Sequence, residues 1–141
     1  MAVYIFQDDP DSDGQWLRDA KQTGNARWNL RGAEESLIES GGTALFWIPF
    51  SGVPNSDLVR GIHAWGRIDK RPYLDPDSEG TYKVDVANFR MLEQPLPVRE
   101  IRRSNLLANL DIWQDPHAHR VFVITGVQLQ ALRGLRPEMS K

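Results

Sequence analysis

The chain has 141 residues and no cysteine, which excludes a disulfide framework, a thiolate metal site and a cysteine nucleophile. Its 17 basic and 19 acidic residues leave a formal net charge of −2, which argues against non-specific coating of nucleic acid. No apolar run reaches the roughly 20 residues needed to cross a bilayer, and we expect an unprocessed cytoplasmic protein with one domain over residues 1–141.

Hydrophobic periodicity and turn residues predict six strands and four helices. In chain order they are a strand at Ala2–Gln7, a helix at Gln15–Lys21, a strand at Asn25–Leu30, a helix at Ala33–Ser40, strands at Thr43–Phe50, Arg60–Ile68 and Thr81–Phe89, a short helix at 97–104, a strand at Arg120–Ile124 and a helix from Thr125 to about Leu132. Thr125 and Gln128 fit a capping box at the start of the last helix. This order predicts an α+β domain built on a small mixed β-barrel.

Alternation within the strands predicts which residues are buried. The strand at 43–50 is apolar on both faces, so we expect both faces to be covered. In the strand at 60–68, the expected core side is Ile62, Ala64, Gly66 and Ile68, and the opposite side is His63, Trp65 and Arg67. In the next strand we expect Tyr82, Val84 and Val86 inside. Further anchors are expected at Leu106, Leu107, Leu110 and Ile112, and at Val127, Ala131, Leu132 and Leu135.

The motifs of common enzymes and metal sites are missing from the sequence. Two acidic turns, beginning at Asp9 and Asp75, open like calcium-binding loops but lack the acidic residue that the twelfth position requires. His117 and His119 cannot complete a typical zinc site without distant carboxylates. There is no P-loop, no dinucleotide-binding glycine motif and no nucleophile elbow. We therefore expect no cofactor, no metal and no catalytic residue.

Aromatic residues near polar turns are the chemistry that remains. They are Trp28, Phe46, Trp47, Phe50, Trp65 and Tyr73, with Asn29, Ser51 and Asn55 close by in the sequence. Aromatic rings can stack on a nucleobase while nearby polar groups bind its edge, although large aromatics in strands more often pack in a core. A cluster of arginines at Arg99, Arg102 and Arg103 permits a one-sided anion site, although such a cluster taken alone is more often a solvated helix face.

The order of these motifs resembles the EVE domain, a PUA-like fold related to YTH domains. The matching segments are Tyr4-Ile5-Phe6, Trp28 in its strand, Ala44-Leu45-Phe46-Trp47, Gly61–Ile68, Pro72-Tyr73-Leu74-Asp75-Pro76 and Tyr82–Val86. The chain departs from the family pattern at Gly42-Thr43, where the family has Gly-Asp, and at 114–120, where the family often has Gln-Gly-Thr.

The resemblance implies a PUA-like barrel surrounded by short helices, with a pocket for a modified nucleobase of DNA or RNA. By matching motif, Trp28 and Tyr73 form the pocket, with Trp47 and the Ser51-Gly52 turn as further walls. Asn29 and Ser51 bind polar base edges, and His119 or Arg120 supplies a base or phosphate contact. Arg99, Arg102 and Arg103 are the expected phosphate contacts.

The leading hypothesis is therefore a monomeric, non-catalytic module that binds a methylated base in nucleic acid. A second hypothesis is a small enzyme acting on a nucleotide or RNA, with His63, His117 or His119 paired to Asp85 as acid and base. A third is a protein-interaction module whose exposed Trp65 face meets a partner.

Overall fold

The computed structural model describes residues 2–8, 15–49, 59–77, 80–114 and 120–140. Its strands are β1 (Val3–Gln7), β2 (Ala26–Asn29), β3 (Thr43–Ile48), β4 (Gly61–Ile68), β5 (Tyr73–Leu74), β6 (Tyr82–Pro97) and β7 (Arg120–Ile124). Its α-helices are α1 (Gln15–Thr23), α2 (Val98–Arg102) and α3 (Gly126–Leu135), and short 3-10 turns cover Glu34–Ser36, Asn105–Leu107, Asp111–Gln114 and Pro137–Ser140. All six predicted strands are present. No helix in the described ranges is long and apolar enough to cross a membrane.

The strands form one mixed sheet in the order β2-β6-β4-β3-β1-β7, with β5 pairing to β6. The β1 and β3 strands are parallel, and the chain that connects them contains α1 and β2, because parallel neighbours require a crossover connection. The 16-residue β6 pairs with β2 and β5 at its start and with β4 over the rest of its length. The sheet curls into a half-barrel, which confirms the predicted PUA-like α+β fold.

Two hydrophobic cores lie on the two faces of this sheet. The inner core brings Phe6 of β1 within 5.5 Å of Trp28 of β2, measured between ring centroids, although three strands separate β1 from β2 in the sheet. The sheet must therefore curl around this core. The outer core lies between the other face and α2, α3 and the last three 3-10 turns. Along β3, Phe46 belongs to the inner core and Trp47 to the outer core, which confirms that this strand is buried on both faces.

A bulge in β4 changes the predicted alternation. Ile62 pairs with Trp47 and Ala64 pairs with Phe46, so His63 is an extra residue between two consecutive pairs. Since one extra residue reverses the faces that follow it, Ile62 packs in the outer core rather than beside Ala64. Trp65 packs in the outer core, on the face opposite Ala64 as alternation predicted, but both His63 and Trp65 are buried, at 1% and 8% exposed.

The predicted helix at Ala33–Ser40 is only the 3-10 turn Glu34–Ser36. The Tyr4 hydroxyl donates to the carbonyl of Leu37 at 2.9 Å and accepts from the amide of Glu39 at 2.8 Å. These long-range bonds satisfy backbone groups that a continuing helix would pair internally. The bonds to Tyr4 of β1 therefore determine the conformation of this segment, rather than its own helix propensity.

The C-terminal helix begins as predicted, since Thr125 and Gln128 form both bonds of the capping box. Two apolar residues that were expected in the core are exposed instead. Val127 of α3 is 60% exposed and Leu106 is 58% exposed, whereas their neighbours Leu129 and Leu107 are buried. The rest of the predicted stripe of α3 is confirmed, since Leu132 is buried and Ala131 and Leu135 pack against the outer core.

Candidate nucleic-acid interface

Trp28 lies within the inner core. Alternation along β2 points its ring inward beside Val84, its partner on β6. Its ring centroid lies 5.2 Å from that of Trp16, 5.5 Å from Phe6 and 5.6 Å from Phe46. Only 4% of the residue reaches solvent. In this arrangement Trp28 packs the barrel interior and presents almost no surface to a ligand.

Asn29 and Tyr73 lie on the opposite face of the sheet. Lys83 of β6 pairs with Asn29 on one side and with Tyr73 on the other, and directly paired residues share a face. This face is opposite the one that carries Trp28, because Trp28 and Asn29 are consecutive in β2. The structure therefore does not bring Trp28 and Tyr73 together, and the predicted two-ring cage is not formed.

Tyr73 belongs instead to a network of hydrogen bonds and ion pairs. Its hydroxyl donates to Oδ1 of Asp85 at 2.9 Å, and Nε of Arg27 donates to the same oxygen at 3.1 Å. Partial burial, followed by the bond to the Asp85 carboxylate, raises the pKa of Tyr73. Beside them Nζ of Lys83 lies 2.7 Å from Asp75. These mutually satisfied pairs stabilise the outer face of the sheet.

One end of the sheet collects most of the other predicted residues. At this end β1 and β3 finish and β7 begins, and Gln7 pairs with Trp47 on one side and with Arg120 on the other. The three residues therefore lie side by side on one face. We call this region the β1–β3 end. Arg120 is exposed here, and its guanidinium lies 5.3 Å from the centroid of the Phe122 ring.

Trp47 is fully buried at the β1–β3 end. Its ring meets Trp113 edge to face, with centroids 5.5 Å apart. Its indole Nε1 is buried and has no hydrogen-bond partner within the part of the chain that the structure describes. A buried indole N–H usually has an acceptor, so an unpaired donor is an unusual feature of the β1–β3 end.

The three predicted phosphate-binding arginines lie beside the same end. Arg99, Arg102 and Arg103 are all exposed, on α2 and the residue that follows it. The start of α2 is held there because Pro97 pairs with Gly61, which also pairs with Ile48 at the end of β3. The structure thus brings the arginine cluster and Trp47 to one region.

Two buried acids complete this end. Asp8 is 4% exposed and accepts a hydrogen bond of 2.7 Å from the indole Nε1 of Trp16. Glu34 is 9% exposed and accepts bonds of 2.7 Å from the backbone amides of Arg31 and Val121. Glu34 also lines a groove of about 470 Å³ that reaches Arg120. The end therefore contains buried carboxylates as well as exposed cations.

The remaining predicted pocket residues, Ser51, Gly52 and His119, lie outside the described residues, as does His117. They follow β3 or precede β7 in the sequence.

The acid-base pair of the enzyme hypothesis is not formed by His63. His63 is buried and its Nε2 bonds to the carbonyl of Val59, and burial lowers its pKa. Asp85 lies beside Asp69, whose amide donates to the Asp85 carbonyl at 3.0 Å. Six residues of β4 at about 3.3 Å each therefore separate His63 from Asp85 by roughly 20 Å. No group of three potential metal-ligating side chains occurs among the described residues.

The interaction-module hypothesis required an exposed Trp65, and this expectation is wrong. Trp65 is 8% exposed and packs in the outer core. The guanidinium of Arg90 lies over its ring, 6.0 Å from the centroid.

Sequence reasoning missed Asp8, Trp16, Glu34 and Trp113. Asp8 and Glu34 are surrounded by other acidic residues in the sequence, so nothing marks them as buried. Trp16 and Trp113 are in short helical segments without a motif. The one sequence signal for Trp113 was its position directly after Ile112, which was a predicted core anchor.

No family model matches the sequence, and no match was found among curated proteins. Solved structures do match. A protein from Pseudomonas syringae is 22% identical, with a TM-score of 0.71, over 96% of this chain and 99% of that one. The DUF55 domain of human thymocyte nuclear protein 1 is 17% identical, with a TM-score of 0.65, over 94% of this chain and 97% of that one. The chain has the fold of an EVE (DUF55) domain.

One further structure with the EVE fold was solved with a ligand. Human THYN1 protein, in complex with DNA containing 5-methylcytosine, is 16% identical to this chain, with a TM-score of 0.67. The match covers 96% of this chain and 97% of that one. At these identities the likeness is one of fold, and it confirms the EVE architecture that the motifs predicted.

Proposed function

We propose that this protein is a non-catalytic nucleic-acid-binding module that recognises a methylated base. The observation that carries the proposal is the match in fold, over nearly the full length of both chains, to a human protein solved with DNA containing 5-methylcytosine. The concentration of aromatic, acidic and cationic side chains at the β1–β3 end supports it.

We place the base pocket at the β1–β3 end. Trp47 and Arg120 border it, and Ser51, Gly52 and His119 are proposed to complete its walls. Trp28 lies in the inner core beneath this end and supports the pocket through packing. Asn29 and Tyr73 lie at the β2 and β5 edge of the sheet, which β6 and β4 separate from β3, and they are outside the proposed pocket.

Arg99, Arg102 and Arg103 are proposed to bind the phosphates that flank the base. All three are exposed and stand on one side of the β1–β3 end. Such contacts hold the strand in place without reading its sequence. A formal net charge of −2 fits a protein that relies on a local cationic patch rather than on overall charge.

The test is titration of fluorescently labelled oligonucleotides that differ only in one methyl group, on cytosine or on adenine, followed by fluorescence anisotropy. We expect one methylated base to bind at least several-fold more tightly than its unmethylated parent. Arg120→Gln is expected to reduce that preference. Equal affinity for every methylated base and its parent would overturn the proposal.

The phosphate contacts have a separate signature. Arg99→Gln with Arg103→Gln is expected to weaken binding of methylated and parent strands equally. It also lowers the slope of log affinity against log salt by about 0.7 to 0.9 for each phosphate that the protein no longer neutralises. Lys70→Gln, which removes an exposed cation near Tyr73 on the outer face, is the control and leaves both quantities unchanged.

A further inference from the structure

Arg60, Arg102 and Trp113 meet beside the β1–β3 end. The amide of Val98 donates to the carbonyl of Arg60 at 2.9 Å, which fixes the first turn of α2 next to Arg60. Arg102 lies four residues after Val98 and therefore on the same side of the helix. Its guanidinium carbon is 4.5 Å from the centroid of the Trp113 ring.

The two guanidiniums lack a balancing carboxylate within the described residues. The acid on α2, Glu100, is held by Arg136, whose two terminal nitrogens lie 3.0 and 3.2 Å from its oxygens. Nε of Arg60 is buried without a hydrogen-bond partner in the same part of the chain. Burial, and then the positive charge of Arg102, lowers the pKa of Arg60. Two cations in this arrangement attract an anion.

The ring of Trp113 is held in a fixed orientation. Its Nε1 donates to the carbonyl of Leu107 at 2.9 Å, and its ring lies edge to face with that of Trp47. A cavity of about 320 Å³ opens beside it, lined by Arg102, Ala108 and Trp113. Bases of unpaired strands stack on tryptophan rings and on guanidinium planes, and this cavity offers both surfaces.

We propose that Arg60, Arg102 and Trp113 form a second binding site, which takes one unmodified nucleotide of a single strand. The two guanidiniums bind its phosphate, and its base stacks on the Arg102 and Trp113 pair. The site rests on the proposed function in that it assumes a nucleic-acid partner. It adds that the strand next to the recognised base is unpaired, because a base within a duplex cannot reach a stacking surface.

The experiment measures affinity for an unmodified eight-nucleotide single strand, as DNA and as RNA, and for the matching duplex. Fluorescence anisotropy of the labelled strand is the readout, since it does not depend on the emission of Trp113. We expect the single strand to bind more tightly than the duplex. Removal of a stacking surface by Trp113→Leu is expected to weaken single-strand binding roughly fivefold or more.

Arg60→Gln and Arg102→Gln test the phosphate contacts without a large loss of packing. Each is expected to weaken single-strand binding, and the double variant is expected to lower the salt slope by about 0.7, because the two guanidiniums bind one phosphate. Arg90→Gln is the matched control, because Arg90 also lies over a tryptophan, but that ring is buried. Circular dichroism and the urea midpoint show that each variant is folded, and Trp113→Phe replaces Trp113→Leu if the latter is not.

The results separate this site from the proposed function. If the glutamine variants lose single-strand affinity while no methylated base is preferred, the second site stands and methyl recognition fails. If a methylated base is preferred but the glutamine variants bind single strands as the wild type does, the second site is overturned. Tighter binding to the duplex than to the single strand also overturns it.

Discussion

Trp28 and Tyr73 lie on opposite faces of the same sheet, although both stand beside consecutive residues of β6. Trp28 pairs with Val84, whose side chain points into the inner core, and Tyr73 pairs with Lys83, whose side chain points outward. A single step along β6 therefore decides that the two rings never share a pocket. Substitution of Trp28 therefore tests the packing of the inner core rather than a contact with a ligand.

Trp28→Ala is expected to lower the free energy of unfolding by about 3 to 5 kcal/mol, because it empties a buried aromatic site. The measurement is urea denaturation followed by circular dichroism. Tyr73→Phe, which removes only the bond to Asp85, is the comparison and should cost about 1 kcal/mol. An unchanged midpoint for Trp28→Ala would contradict the placement of this ring in the core.

Glu34→Ala is expected to destabilise the protein by about 2 to 4 kcal/mol. The carboxylate accepts from the amides of Arg31 and Val121, and its loss leaves both donors without that acceptor, at about 1 to 2 kcal/mol each. Glu34→Gln keeps one acceptor and should fall between alanine and wild type. Glu93→Gln, at an exposed position, is the control for loss of charge. If Glu34→Ala unfolds at the same urea concentration as Glu93→Gln, the two backbone bonds contribute nothing to stability.

The buried His63 predicts a loss of stability in mild acid. Burial lowers its pKa below the ordinary 6.5, and the bond to the Val59 carbonyl opposes this shift only in part. Below about pH 6.5 the unfolded chain takes up a proton that the folded chain resists, so the free energy of unfolding falls as pH decreases. The fall continues to the lower folded pKa, at no more than about 1.4 kcal/mol per pH unit.

The check is the urea midpoint between pH 7.5 and pH 5 for the wild type and for His63→Gln, which keeps a donor for the carbonyl. His117 and His119 are present in both proteins, so the difference between the two profiles belongs to His63. Parallel profiles would show that His63 titrates alike in the folded and unfolded states.

Two glycine-to-alanine substitutions should change the stability of the fold in opposite directions. Gly61 has φ of 144°, and an added Cβ would lie 2.1 Å from the carbonyl oxygen of Leu96, so Gly61→Ala forces β4 and β6 apart and destabilises strongly. Gly134 is in α3 with open space around an added Cβ, so Gly134→Ala should stabilise by about 0.5 to 1 kcal/mol. Thermal melts of both variants decide this, and a stabilised Gly61→Ala would contradict the close pairing of β4 with β6.

How much was predictable from the sequence differs between the fold and the site. The strands, the capping box and the EVE fold were predictable, because each depends on neighbouring residues or on motif order. The Ala33–Ser40 helix was wrong because Tyr4, far away in the sequence, bonds to Leu37 and Glu39. The prediction of the face that Ile62 occupies was wrong, because the sequence around His63 carries no signal for the bulge there.

The sequence by itself determined the composition of the site: tryptophans, a cluster of arginines and no thiol chemistry. Only the tertiary structure decided which of them meet. Curling of the sheet moved Trp28 into the inner core, and the register of β6 separated it from Tyr73. The pairing of Gly61 with Ile48 and Pro97 placed α2 beside Trp47 and Trp113. The physical reason is that strand pairing joins residues far apart in the chain, whereas sequence periodicity describes only one strand at a time.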